Sequence, residues 1–276
     1  MSASRNPSLG PVQAVIFDWA GTIVDHGSYA PTKVLIQAFA ELGVAVSLDE
    51  ARVPMGLPKW DHIQALGQLP GVAERWRERF GRAMAREDVD ALYARFMPLQ
   101  IDYIAAFSGV IPGVLEVVEG LRARGIRIGS CSGYPRQVMD RLESCAREQG
   151  LRLDHTVAGD DLKPGGRPGP WMALANVIEL GVRDVAACVK VDDTEPGIIE
   201  GLSAGMWTVG VVQSGNEMGL TLDELVALPE AERRQRRDAA AGRILGWGAH
   251  YVIDTVAGLP AVIGQVEKRL QTGERP

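Results

Sequence analysis

The chain has 276 residues, 46% of them hydrophobic and 23% charged, and its 29 Lys and Arg against 35 Asp and Glu give a formal net charge of −6. A chain of this size buries enough surface to fold without disulfide or metal staples, and its near-average composition excludes a disordered chain, a collagen-like repeat and a long coiled coil. The acidic balance excludes the sequence-independent attraction to nucleic acid or anionic membrane shown by Lys- and Arg-rich proteins, yet leaves room for a small anion at a local basic site.

The length exceeds one domain of roughly 150 residues and falls short of two. The first 11 residues hold no apolar core of signal-peptide length, and no run approaches the ~18 apolar residues of a membrane span. Cys131, Cys145 and Cys188 are odd in number and lack metal-type spacing, so neither a zinc site nor a disulfide framework is expected. They fit a reducing compartment, and the expectation is a cytoplasmic protein with no membrane or nucleic-acid partner.

In chain order, residues 12–17 (VQAVIF) read as a buried strand running into the loop Asp18-Trp19-Ala20-Gly21-Thr22. Residues 29–107 then show only helical periodicity, as in Val34, Leu35, Ala38, Phe39 and Leu42, and in Leu92, Tyr93, Phe96 and Leu99. This insertion accounts for the surplus over one domain. Beyond it, apolar runs at 126–129, 185–191 and 207–212 read as strands. They alternate with helices over 112–124, 135–149, 170–180 and 196–204, each opened by a proline near its first turn. Residues 222–245 read as one solvated helix, followed by a short strand at 251–253 and a last helix at 259–270. Strands alternating with amphipathic helices predict an α/β fold, a doubly wound parallel sheet covered on both faces, interrupted by an all-helical cap. The expected division is a core of 1–28 and 108–276 around a cap of 29–107.

An open parallel sheet binds ligands beyond the carboxyl ends of its strands. Three strand ends deliver Asp18, then Ser130-Cys131-Ser132-Gly133-Tyr134, then Asp192-Asp193-Thr194, and a fourth loop carries Gly166-Arg167-Pro168-Gly169-Pro170 into a helix. Carboxylates converging from two strand ends supply hard oxygen ligands of the kind Mg²⁺ takes while sharing its shell with a phosphate. Ser132, the Gly133 N–H at a helix N-terminus, the Thr22 hydroxyl and the Arg167 fork offer anion contacts. An aspartate can also serve as nucleophile and split one hard transfer into two. Lys163, in Leu162-Lys163-Pro164, competes with Arg167 for the anion. Of the adjacent acids Asp192 and Asp193 one is expected to face away or order the loop, Cys131 reads as a buried structural thiol, and Trp19 as a residue that shapes the cavity.

DWAGT, SGY, GRPGPWM and VKVDDTEPG together resemble the four signature loops of the haloacid dehalogenase superfamily, and within it the phosphonatase family of phosphonoacetaldehyde hydrolases. The segment RVPMGLPKWDH, residues 52–62, is similar to that family's second hallmark, which lies in its cap. The resemblance implies a hydrolase that cleaves the carbon–phosphorus bond of phosphonoacetaldehyde to acetaldehyde and phosphate in 2-aminoethylphosphonate degradation. It further implies Asp18 as nucleophile, Lys59 as Schiff-base residue, His62 as proton shuttle and Met55 and Gly56 beside the substrate. Mg²⁺ would be held by Asp18, the Ala20 carbonyl and Asp193, in a homodimer. Pro58 reads as the first helical residue, which puts Lys59 in the first turn at the positive end of the helix dipole. Where other members of the superfamily carry an acid two residues after the nucleophile, this chain has Ala20. A C–O phosphatase without that acid loses help worth roughly 10²- to 10⁴-fold, so the alternative, a Mg²⁺-dependent capped phosphatase or phosphomutase, is disfavoured.

Overall fold

The computed structural model describes residues 11–276; the first ten residues of the expected core division lie outside the described residues. The chain opens with strand β1 (Ala14–Phe17), then α1 (Tyr29–Ala40), α2 (Leu48–Arg52), α3 (Lys59–Gln68), α4 (Pro70–Phe80) and α5 (Arg86–Ile104). It continues through α6 (Val114–Ala123), β2 (Arg127–Cys131), α7 (Arg136–Glu148), β3 (His155–Val157), α8 (Trp171–Glu179), β4 (Cys188–Asp192) and α9 (Glu195–Ala204). Last come β5 (Trp207–Val211), α10 (Leu222–Ala227), α11 (Glu230–Gly246), β6 (Tyr251–Ile253) and α12 (Leu259–Gln271).

The six strands form one sheet in the order β3-β2-β1-β4-β5-β6, and every pairing is parallel. This is the doubly wound α/β order, with its direction reversing between β1 and β4. β1, at the centre, is apolar throughout (AVIF) because helices cover both faces. Its side chains divide between two clusters. Val15 and Phe17 pack with residues of α6, α7 and α12, whereas Ala14 and Ile16 pack with Met172, Ala173 and Val177 of α8. Helices α1 to α5 carry a third cluster of their own, built on Leu35, Phe39, Ile63, Trp76, Leu92 and Phe96.

Several boundaries differ from those read in the sequence. The second strand extends past Gly129 to Cys131 because its polar residues are satisfied inside the sheet: Ser130 Oγ accepts from Trp19 Nε1 at 3.0 Å and donates to Thr156 Oγ1 at 2.9 Å. Residues 185–187 form a 3₁₀ turn capped by the Asp184 carboxylate, so β4 starts at Cys188 and runs on into the charged residues Lys190 and Asp192. β3 has no counterpart in the sequence reading, being a three-residue edge strand without an apolar run. The expected helix over 222–245 is two helices. Pro229 forces Leu228 into extended backbone (ψ 138°) and ends α10. Pro58 is likewise the N-cap residue of α3 rather than its first helical residue, which makes Lys59 the first.

Candidate active site

Because β1, β2 and β4 lie side by side and parallel, the loops that leave them meet at one edge of the sheet. Asp18 follows β1, its N–H donating to the Val191 carbonyl of β4 at 2.9 Å, and Asp192 ends β4 with Asp193 next. One carboxylate oxygen from each of Asp18, Asp192 and Asp193 lies within 4.8 Å of the others, and all three residues are buried.

The three acids are held differently. Asp192 Oδ2 takes Lys190 Nζ at 2.6 Å and lies 3.0 Å from Arg167 Nη2, while its Oδ1 accepts from the Thr194 N–H (3.0 Å) and hydroxyl (2.7 Å). Burial pushes Asp192 up, but Arg167 and Lys190 outweigh it and hold its carboxyl below the usual range. Asp18 accepts from Arg167 Nη2 at 2.6 Å, yet burial leaves its pKa raised. Asp193 has no cation among the described residues, where it accepts from Thr22 Oγ1 (3.1 Å), Ser28 Oγ (3.3 Å) and the Asn216 N–H (2.7 Å). Burial and then the charges of Asp18 and Asp192 push it well above the carboxylate range.

An acid pushed up by burial and by two like charges beside it marks a place where a cation fits. The donors are hard oxygens, and the Ala20 carbonyl beside them accepts no hydrogen bond among the described residues. The set suits a divalent metal. Asp18, Asp193 and the Ala20 carbonyl have ligand capacity to spare, whereas both oxygens of Asp192 are already committed.

Two buried lysines meet opposite fates. Lys190, paired with Asp192 and 3.5 Å from Glu200, is raised in pKa despite its burial. Lys59 makes no ion pair among the described residues and faces the Tyr134 ring, 5.0 Å from its centroid. Burial lowers its pKa to about 8, with Asp18 opposing and Arg167 assisting. His62, on the same face of α3 one turn on, is fully buried. One ring nitrogen, Nε2, lies 2.9 Å from the Ala51 carbonyl and so carries the proton, which leaves Nδ1 with a free lone pair and no partner. Burial, then the Lys59 charge, holds its pKa well below the usual value, so the imidazole is neutral.

A narrow cavity lies between Asp18 and Lys59. The core lines it with Asp18, Ala20, Ser132, Gly133, Tyr134 and Arg167, and the helical insertion lines it with Met55, Gly56 and Lys59. About 20 Å³ is open to the centre of a water molecule, room for little more than one water. The two walls touch through glycine. A Cβ on Gly133 would stand 2.6 Å from the Leu57 carbonyl, and one on Gly56, itself at φ +91°, 2.3 Å from Thr194 Oγ1. Arg52, at the end of α2, clasps the core below this contact, donating to the carbonyls of Gly27 (2.7 Å) and Gly219 (3.3 Å) and to Asn216 Oδ1 (3.1 Å).

Of the residues singled out in the sequence, Thr22, His62 and Asp193 do not line the cavity: Thr22 donates to Asp193, which lies beneath the strand-end loops, and His62 Nε2 is turned to the Ala51 carbonyl. The Gly133 N–H is unpaired among the described residues, but it precedes α7 by three residues and is therefore a loop donor, not one from a helix N-terminus. Lys163 is exposed and outside the cavity, so of these two competing cations it is Arg167 that lines it. Cys131 is buried with its thiol pushed up to about 12, chiefly by burial. Sequence reasoning missed Lys190, Glu200 and Arg52. A Lys and an Asp two apart share one face of a strand, and in a strand buried on both faces that spacing signals an ion pair.

The family model of haloacid dehalogenase-like hydrolases matches residues 12–205. The chain is 58% identical over 269 residues to phosphonoacetaldehyde hydrolase of Klebsiella pneumoniae, covering 97% of this chain and 100% of that one. It is 59% identical over 267 residues to phosphonoacetaldehyde hydrolase of Vibrio cholerae serotype O1, covering 96% and 98%. Among solved structures, a phosphonoacetaldehyde hydrolase-like protein from Oleispira antarctica superposes with a TM-score of 0.97 at 44% identity, covering 100% of both chains.

The contact across the cavity is testable without touching a polar group. Gly133→Ala places a methyl against the Leu57 carbonyl, a backbone atom that can yield only if the loop at 55–58 moves outward. The expected result is a loss in kcat/KM of about 10²-fold with an unfolding midpoint close to the parent's; an unchanged kcat/KM would show that the two walls need not touch.

Proposed function

The chain belongs to the haloacid dehalogenase-like hydrolases and hydrolyses the carbon–phosphorus bond of phosphonoacetaldehyde, and from that premise we propose that it does so through an imine on Lys59 and a phosphoryl group on Asp18. The observation that carries this reading is the pair of unlike groups facing one cavity: a carboxylate at the end of β1 and, opposite it, a buried lysine without a counter-ion.

Breaking a carbon–phosphorus bond expels an electron pair on carbon, and a protein acid cannot make a bare carbanion a good leaving group. An imine can receive that pair. In the proposed cycle the neutral Lys59 amine adds to the aldehyde carbon and water leaves, giving an iminium ion β to phosphorus. The Asp18 carboxylate attacks phosphorus in line. The P–C electron pair moves into the iminium to give a neutral enamine, and the phosphoryl group remains on Asp18. Protonation of the enamine carbon regenerates an iminium, water releases acetaldehyde and the free amine, and a second water cleaves the aspartyl-phosphate to phosphate.

The rest of the site has corresponding roles. Arg167, Ser132 and the Gly133 N–H hold the phosphonyl oxygens. Met55 and Gly56 border the aldehyde. His62 Nδ1, a free base one helical turn from Lys59, moves the protons of imine formation. Thr22 orients Asp193. Asp18, the Ala20 carbonyl and Asp193 would hold Mg²⁺, which would offset charge on the phosphonyl oxygens. Residues 29–107 are a cap that closes on the core of 1–28 and 108–276, bringing Lys59 to Asp18 and excluding water. Free, buried cysteines accord with a cytoplasmic location, and the sequence resemblance supports a homodimer, which a monomeric mass in sedimentation would remove.

Borohydride added during turnover is expected to fix a two-carbon adduct on Lys59, read by peptide mass; an active enzyme without the adduct would end the imine reading. The pH profile follows from the lysine. Only the neutral amine attacks, and with a pKa of about 8 instead of 10.5 roughly a tenth of it is neutral at pH 7, against a few in 10⁴ for an ordinary lysine. Imine formation should therefore rise with pH and level off above about 8; a limb still rising steeply toward pH 10 would show an unshifted lysine.

A further inference from the structure

Glu200, on α9, is fully buried and makes no contact with the cavity, yet its carboxylate gathers donors from three elements. Oε2 accepts from Arg167 Nε at 3.0 Å and Cys131 Sγ at 3.4 Å, and lies 3.5 Å from Lys190 Nζ. Oε1 accepts from the Ala173 N–H at 3.1 Å, in the first turn of α8, whose N-cap residue Pro170 offers no side-chain cap. The same carboxylate thus fixes the helix that follows the Arg167 loop and the guanidinium that the loop presents.

Arg167 needs such a hold. Its Nη2 is drawn to Asp18 (2.6 Å), the Cys131 carbonyl (3.0 Å) and Asp192 (3.0 Å), all groups that would pull the whole side chain down onto the strand ends. Nε is tied to Glu200 instead. With two edges of a planar group fixed, its rotation is fixed, and the remaining donor, Nη1, makes no hydrogen bond among the described residues although Arg167 lines the cavity. Nη1 is the donor available to a phosphonyl oxygen.

We propose that Glu200 is the positioning residue of Arg167: it acts on the phosphonyl group solely by setting the plane of that guanidinium, with Lys190 balancing its charge. This rests on Arg167 being the phosphonyl ligand. A glutamine at 200 can accept from Arg167 Nε or from the Ala173 N–H but not from both, so the plane is released while the packing volume is kept.

The test is a double-mutant cycle on the binding of inorganic phosphate in Mg²⁺ buffer, with Lys59 trapping by acetaldehyde and borohydride as the second readout. Glu200→Gln should weaken phosphate binding roughly tenfold or more, leave acetaldehyde trapping within about twofold of the parent, and add nothing further in the Arg167→Ala background. A Glu200→Gln protein that binds phosphate normally, or whose loss is as large without Arg167 as with it, overturns the proposal. Unchanged phosphate binding in Arg167→Ala alone overturns the reading of Arg167 as well, whereas a loss there with none in Glu200→Gln overturns this proposal only. If Glu200→Gln does not fold, Glu200→Asp, which keeps the charge but shortens the reach, replaces it in the same cycle; failure of both to fold assigns Glu200 to the scaffold and ends the proposal.

Discussion

Four buried carboxylates, Asp18, Asp192, Asp193 and Glu200, crowd the place where β1 and β4 part, and two committed cations, Arg167 and Lys190, are spread among them. Burying one unpaired charge costs several kcal/mol, so this imbalance governs what every neighbouring group can do. Asp192 and Glu200 take the lysine and share the arginine, and they become framework. Asp18 keeps one arginine contact. Asp193 is left with neutral donors, and burial together with the charges of Asp18 and Asp192 raises its pKa strongly, so this is the acid whose charge a divalent cation would offset. The catalytic potential of the site lies in the part of the charge that the protein leaves unbalanced.

The same logic separates the two lysines. Lys190 stands inside the sheet, where carboxylates reach it and keep it charged; Lys59 comes from the helical insertion and is buried against an aromatic ring with no carboxylate in contact. The nucleophilic amine of the proposed imine needs burial without pairing, and that is difficult to arrange beside strand ends crowded by four acids. Delivering the amine on a separate layer of helices solves the difficulty, provided the layer docks closely. The glycines at 56 and 133 permit the approach, and Arg52 clasps the core beside them.

How far the sequence disclosed this depends on the kind of signal. The central strands and the loops after them were legible because burial on both faces demands apolar runs and the chemistry must follow them; Asp18, Ser132, Gly133 and Asp193 all stand at or beside such ends, whereas Arg167 was legible only through the loop motif that carries it. The polar second half of β2 and the charged centre of β4 were not, because hydropathy cannot show that Ser130 is satisfied by Trp19 and Thr156, or Lys190 by Asp192. Lys59 was legible only through the motif around it, since a lysine at the start of a helix is ordinarily solvated. Glu200 left no trace, as its hydrogen-bond partners lie 27 to 69 residues away along the chain and meet only when α8 and α9 pack.

Ala20 ties the two halves of the site together. An acid at that position would face the same cavity as Lys59 and add another carboxylate beside Asp18. It would pull the lysine pKa back up, since a nearby negative charge favours the ammonium form, and so remove the free amine on which an imine depends. In the proposed cycle the methyl group at position 20 therefore does more than omit a proton donor that an enamine leaving group does not need: it keeps the charge opposite Lys59 low enough for a buried lysine to serve as the nucleophile near neutral pH.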